Sequence, residues 1–498
     1  MLSDTTLTTP PVAQDTSRRD MGITFTLLVA AFVVILNETI MNVALPKLMA
    51  ELHISASTAQ WLATAYMLVM AVLIPTTGFL MQRLTTRTLY LAAMGAFTLG
   101  TLVAGLAPSF PVLLLGRVFQ ASGTAIILPL LTTTILALIP MERRGAMMGT
   151  VSIVISVAPA VGPTISGLIV QALSWRYLFF FVLPIAVGVL VYGARYLGNV
   201  GETRHASLDL LSVILAGIGF GGVVYGFSGA GEGGGGWSSR DVLIPMVVGM
   251  LSLIAFGWRQ ITLPAPLLDL RAFRYRMFSL SVALTMVVMM ALFASAILLP
   301  IYLQTIRGFT PLQTGLFLLP GGVLMGVAAP FVGRIFDRSG PLALATTGGA
   351  LLVLALWGFT TLTAATSVGI LLTLHIMFSA GLALLFTPIF ATGLNQLPRS
   401  LHAHGSAIFS TLQQVAGAIG TALLVTIMAT GTEAYLRGVA NASDAVVQHA
   451  ALTSGLHRAF SVASGIALLG LILALFLRRS SPPDVEGEDG ASAAQFAH

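Results

Sequence analysis

Of the chain's 498 residues, 56% are hydrophobic and 8% charged, where a soluble domain carries roughly 25% charged residues; this composition suits lipid rather than water. The formal charge of +6 implies no nucleic-acid partner, because membrane proteins collect basic residues on cytoplasmic loops. Zero cysteines exclude disulfides, thiolate metal sites and cysteine nucleophiles, and the single lysine, Lys47, leaves no Walker-A loop or Schiff-base site elsewhere, so neither cofactor nor metal is expected.

The chain opens on a polar tail, residues 1–21, with no cleavable signal peptide expected. A hydrocarbon core of about 30 Å needs roughly 20 helical residues. Apolar runs of that size follow near 22–45, 57–81, 88–107, 111–139, 147–171, 176–197, 208–228, 241–261, 278–303, 311–333, 342–363, 367–394, 405–430 and 457–477. The expectation is an all-α polytopic membrane protein of fourteen transmembrane helices. With the N-terminus inside, seventeen arginines, from Arg18 and Arg19 to Arg478 and Arg479, fall on cytoplasmic segments. Six basic residues fall opposite: Lys47, Arg176, Arg240, Arg307, Arg437 and Arg458. That bias predicts both termini in the cytoplasm.

The first span carries an acid, Glu38, with Asn37 beside it and Asn42 one turn on. A charge near the bilayer centre costs from about 3 to over 10 kcal/mol, so such a carboxyl usually faces a cavity or a cation and often titrates. The other reading is a carboxyl kept protonated for structural reasons. Arg117 is the second mid-membrane charge; it does not deprotonate. It either pairs with an ionised Glu38 and senses its protonation, or pins itself to backbone carbonyls.

The pattern GFLMQR at 78–83 recurs as GRIFDR at 333–338, each at a cytoplasmic helix end. The repeat suggests a six-helix half at 22–200 and another at 266–479. Between them lie two inserted helices at 201–265, and an acidic tail follows at 480–498. Two related halves suit a secondary transporter. Gly217 and Gly221 are expected to bring the inserted helices close, and Gly233–Gly236 to form a flexible hairpin.

Several stretches resemble the major facilitator superfamily, specifically its fourteen-span drug:proton antiporters of the lincomycin and multidrug efflux branch. LNETIMNVALP at 36–46 resembles the first-helix signature, LGRVFQASG at 115–123 the fourth-helix motif, and APAVGPTISG at 158–167 the antiporter motif of the fifth helix. SWRYLF at 174–179, LPIYLQ at 299–304 and TPLQTG at 310–315 also fit. Asn37 stands where the family has Asp, and the acid comes one position later at Glu38. Gln82 replaces another family Asp, while Asp337 retains its partner; looser gating in one half follows.

The resemblance implies a proton-coupled antiporter that exports lipophilic or amphipathic drugs by alternating access, as a monomer in the cytoplasmic membrane, with protons and membrane lipids as its other partners. Glu38 and Arg117 are the coupling candidates. Arg83, Asp337 and Arg338 are assigned to gating, and Gly162, Pro163 and Gly167 to sealing and close packing. Substrate candidates are Asn37, Asn42 and Gln120, with Trp61, Tyr66, Tyr302, Gln304, Phe386, Gln413 and Gln414 near mid-membrane; each also suits plain helix packing. Asp209 is expected to cap the seventh span, His375 to make a helix contact, and His402 with His404 to be weak metal candidates. The alternatives are an exporter or flippase of an endogenous lipid or metabolite and, more remotely, a receptor or membrane enzyme.

Overall fold

The computed structural model describes residues 12–138, 141–199, 209–229, 236–264, 266–398, 401–439 and 444–479. Among them are fifteen α-helices and no strand. These are α1 (Val12–Leu52), the short α2 (Ala56–Ala59), α3 (Trp61–Arg83), α4 (Thr86–Gly105), α5 (Phe110–Leu138), α6 (Met141–Ala172), α7 (Arg176–Tyr196) and α8 (Leu210–Gly229). They continue as α9 (Arg240–Thr262), α10 (Arg276–Ile301), α11 (Pro311–Ser339), α12 (Pro341–Phe359), α13 (Val368–Asn395), α14 (His402–Arg437) and α15 (Ala445–Ala474). Every expected span falls on one of them. Thirteen stretches of the described residues are long and apolar enough to cross a membrane, and the apolar part of α6 described as such, Val157–Ala172, is shorter. The physical cause is general: in hydrocarbon each unpaired backbone group is costly, so an apolar run satisfies its own N–H and C=O groups as a helix.

Side chains close several helix starts. Thr85 accepts from the Thr88 N–H at 3.2 Å before α4, and Asp444 from the Val446 N–H at 2.9 Å before α15. Before α10, Gln396 takes that part, its Oε1 accepting from the N–H groups of Met277 and Phe278 at 2.6 and 3.3 Å. After Ile301, α10 widens into a π-helical turn, Tyr302–Ile306.

The helices form two compact units. The first holds α1, α3 to α7 and the start of α11, residues 310–319. Within it α1 packs on α5, α6 and α7, and α5 lies between α3 and α4. Glycines bring α4 and α5 together: a Cβ on Gly100 would lie 2.6 Å from the Gly116 carbonyl oxygen, and one on Gly116 would lie 2.8 Å from that of Gly100. The second unit holds α2, α8 to α10, the rest of α11 and α12 to α15. There α8 pairs with α9, α12 with α13, and α14 with both α10 and α15.

One sequence expectation is corrected here. Gly217 and Gly221 have nothing within 4 Å of an added Cβ, so they do not bring α8 and α9 together. Gly219, Gly222 and Gly226 do, with Gly249 opposite; a Cβ on Gly222 would lie 2.6 Å from the Pro245 carbonyl oxygen. Each residue turns the helix by about 100°, and the packed face lies one or two positions away from the one assigned. The expected N-terminal tail is shorter than assigned, since α1 already begins at Val12; residues 1–11, residues 480–498 and Gly233 to Gly235 lie outside the described residues.

Candidate functional site

Glu38 sits within α1 and Arg117 within α5, two helices packed on each other in the first unit. Arg117 is 1% exposed, and its guanidinium is held by uncharged groups from three helices. Nε donates to the Leu62 carbonyl at 3.2 Å, and Nη1 donates to the Asn37 carbonyl at 3.4 Å and to Gln120 Oε1 at 3.0 Å. Its Cζ lies 4.2 Å from the centroid of the Tyr66 ring, a cation–π contact in a water-poor setting.

Gln120 extends the cluster. Its Nε2 donates to Asn37 Oδ1 at 3.4 Å and to Thr101 Oγ1 at 2.9 Å, tying α5 to α1 and α4. Tyr66 and Thr124 share a 2.6 Å hydrogen bond between hydroxyls. Glu38 stands beside this network, not in it: its Oε1 is buried and has no hydrogen-bond partner, and no ion pair joins it to Arg117 among the described residues. Of the two sequence readings for Arg117, the carbonyl contacts are observed directly. No ion pair with Glu38 occurs among the described residues.

The structure thus brings Glu38, Arg117, Asn37, Gln120 and Tyr66 together. Thr101 and Thr124 complete the cluster and were missed in the sequence. Thr124 had a signal, since Arg117, Gln120 and Thr124 recur on one face of α5. Thr101, the α4 member of the cluster, had none. Asn42 is half-buried further along α1.

Two substrate candidates lie at helix ends rather than mid-helix: Trp61 opens α3, and Tyr302 directly follows α10. Tyr302 is 1% exposed in the second unit, its hydroxyl donating to the Thr363 carbonyl at 2.8 Å. Gln304 lies half-buried in the same π-helical turn, Phe386 half-buried on α13, and Gln413 and Gln414 adjacent on α14. Arg83, Asp337 and Arg338 are exposed near the ends of α3 and α11.

In α6 the motif is a contact surface. A Cβ on Gly162 would lie 2.3 Å from Thr39 Oγ1, and one on Gly167 would lie 2.3 Å from the Pro311 carbonyl oxygen. Facing them, a Cβ on Gly315 would meet the Pro163 carbonyl oxygen at 2.4 Å, and Thr164 Oγ1 donates to the Gly315 carbonyl at 3.1 Å.

Asp209 precedes α8 as expected, and it also holds Arg259 of α9 through both oxygens, at 2.7 and 2.9 Å. His375 is 8% exposed on α13, where a Cβ on Gly321 would lie 2.4 Å from its Nε2. His404 Nδ1 accepts from the Asp269 N–H at 3.4 Å, and no group of three potential metal ligands occurs among the described residues.

A polytopic helical bundle with an acid and an arginine on neighbouring apolar helices and glycine-tight helix contacts is the framework of a membrane transporter. Residues 27–421 match the Major Facilitator Superfamily, and the chain belongs to that family. It is 46% identical over 459 residues to the lincomycin resistance protein LmrB of Bacillus subtilis (strain 168), covering 92% of this chain and 96% of that protein. The LmrB of Listeria innocua is 43% identical over 462 residues, covering 93% and 98%. Among solved structures, an inward-facing, unoccupied bacterial homologue of the human lysosomal transporter Spinster superposes with a TM-score of 0.66 at 12% identity, covering 92% of this chain and 97% of that one; it shares the fold.

Proposed function

We propose that the protein exports lipophilic or amphipathic compounds, antibiotics among them, in exchange for protons. The observation that carries this reading is Glu38: a carboxyl within a membrane span, with a buried oxygen that no protein group satisfies. Keeping such a group is costly, and reversible protonation is the use that offsets the cost. Arg117 lies on the neighbouring helix, and its three hydrogen bonds all go to uncharged groups, so its positive charge remains available to an ionised carboxylate. The names of the two relatives support the drug-export half of the reading and make lincomycin the first compound to try.

In the proposed cycle, Glu38 loses its proton to the cytoplasm as substrate binds, and the carboxylate engages Arg117. Outward opening and reprotonation from the external side then release the substrate. The two halves alternate access about a midplane site, with the protein acting as a monomer in the cytoplasmic membrane and both termini inside. Export, proton exchange and orientation are tested together in inside-out vesicles, where wild-type protein given lincomycin should move protons and Glu38→Gln should not. Normal substrate-driven proton movement by Glu38→Gln would overturn the assignment.

A further inference from the structure

Thr124 carries one hydroxyl proton, and it donates that proton to the Gln120 carbonyl at 3.0 Å. With that proton on the carbonyl, the Tyr66 phenol is the donor in the 2.6 Å contact between the two hydroxyls. The phenol proton points at α5, and the ring is held by a bond from its far end. Tyr66 is 0% exposed, and the guanidinium of Arg117 lies against its face at 4.2 Å. Arg117, Gln120 and Thr124 lie at i, i+3 and i+7 of α5, on one face of that helix. A single helix face thus supplies the charge, the amide that bonds it and the hydroxyl that anchors the ring beneath it.

The charged groups that act on Tyr66 are Glu38 from α1 and Arg117 from α5; α4 contributes the neutral Thr101, which reaches Gln120. A residue so enclosed, with its hydroxyl committed to Thr124, presents little to a drug. We infer that Tyr66, locked by Thr124, is a positioning residue of the coupling centre: its ring fixes the place of the Arg117 guanidinium and so the field that Arg117 exerts on Glu38. This inference rests on the proposed role of Glu38 as proton carrier. It moves Tyr66 out of the drug pocket and brings in Thr124.

The test follows the carboxyl itself and needs no transported compound. In detergent-solubilised full-length protein, the infrared band of a protonated carboxyl is titrated with pH. The band lost in Glu38→Gln identifies Glu38; if no titrating band is lost in that variant, the reading of Glu38 as proton carrier fails. Tyr66→Phe keeps the ring and removes the hydroxyl, and Thr124→Val removes the acceptor. Each should shift the proton affinity of Glu38 by about fivefold, the worth of one net hydrogen bond. The double variant should shift it no further, because both changes break one bond. Thr124→Ser restores the hydroxyl and should return the wild-type midpoint, a result that a purely structural role for Thr124 would not require. If Glu38 titrates but Tyr66→Phe and Thr124→Val leave its midpoint unchanged, or their effects add, the positioning role falls while the proton-carrier reading stands.

Discussion

Gly123 offers the sharpest test of how the coupling centre is built. It faces α4 on the helix that carries Arg117 and Gln120, and a Cβ there would lie 2.2 Å from the Ala93 carbonyl oxygen and 2.9 Å from Phe97 Cβ. Ordinary carbon-to-oxygen contacts begin at about 3.3 Å, so in Gly123→Ala the two helices must part by about 1 Å. Nothing there can swing aside, because one of the opposing atoms is backbone and the other adjoins it. Overpacking of this kind costs about 1–3 kcal/mol. The same parting pulls on the Thr101–Gln120 bond of 2.9 Å and the already long Gln120–Asn37 bond of 3.4 Å. A displacement of about 1 Å at a tuned site can cost on the order of 100-fold in rate.

The comparison is with Gly95→Ala on α4, where an added Cβ meets nothing within 4 Å. That variant should gain about 0.5–1 kcal/mol from helix propensity alone. Both are measured by thermal melting in detergent and by substrate-driven proton exchange in vesicles. Gly123→Ala should melt below wild type and exchange slowly, and Gly95→Ala should do neither. If Gly123→Ala melts with Gly95→Ala and exchanges at the wild-type rate, close packing of α4 on α5 does not set the geometry of the site.

Two further outcomes concern the helix ends. Asp209 has its pKa lowered from the ordinary 3.8 to about 2, first by the hydrogen bonds from Arg259 and then by Ser212. A depressed carboxylate stabilises the fold above its unfolded pKa and loses that contribution as pH falls through the folded one. Asp209→Asn should therefore melt below wild type at neutral pH by about 1 kcal/mol, and the two melting curves should converge as pH drops from about 4 to about 2. Lys47, whose Nζ donates to the carbonyls of Val170 at 2.6 Å and Leu173 at 3.2 Å, ties α1 to the end of α6. Lys47→Met should lower the melting midpoint, with a loss of about 1–3 kcal/mol for two unmade bonds; an unchanged midpoint would show that water replaces them freely.

Much of the candidate site was legible because its residues are anomalous for their surroundings. Glu38 and Arg117 stand out in apolar spans on cost alone, and Gln120 stands out by its place one turn beyond Arg117. Thr124 shared a helix face with Arg117 and Gln120, whereas Thr101 carried no signal, since a hydroxyl in a membrane helix often bonds back to its own backbone. The Leu62 carbonyl could not be found at all, because every residue has a carbonyl. Asp209 was legible as a cap, but its partner Arg259 lies fifty residues on and is paired with it only when α8 lies along α9.

Membrane residence, the all-helical fold and the family followed from the linear chain, because lipid leaves an apolar segment one way to satisfy its backbone. The rotation of each helix about its axis did not follow. Helices that are apolar on every side carry no stripe to mark the inward face, so Gly219, Gly222 and Gly226 could not be told from Gly217 and Gly221. Tertiary packing decided that rotation, glycine by glycine. It also decided that Arg117 rests on carbonyls, Gln120 and the Tyr66 ring, leaving the carboxyl of Glu38 beside it without a hydrogen-bond partner for Oε1.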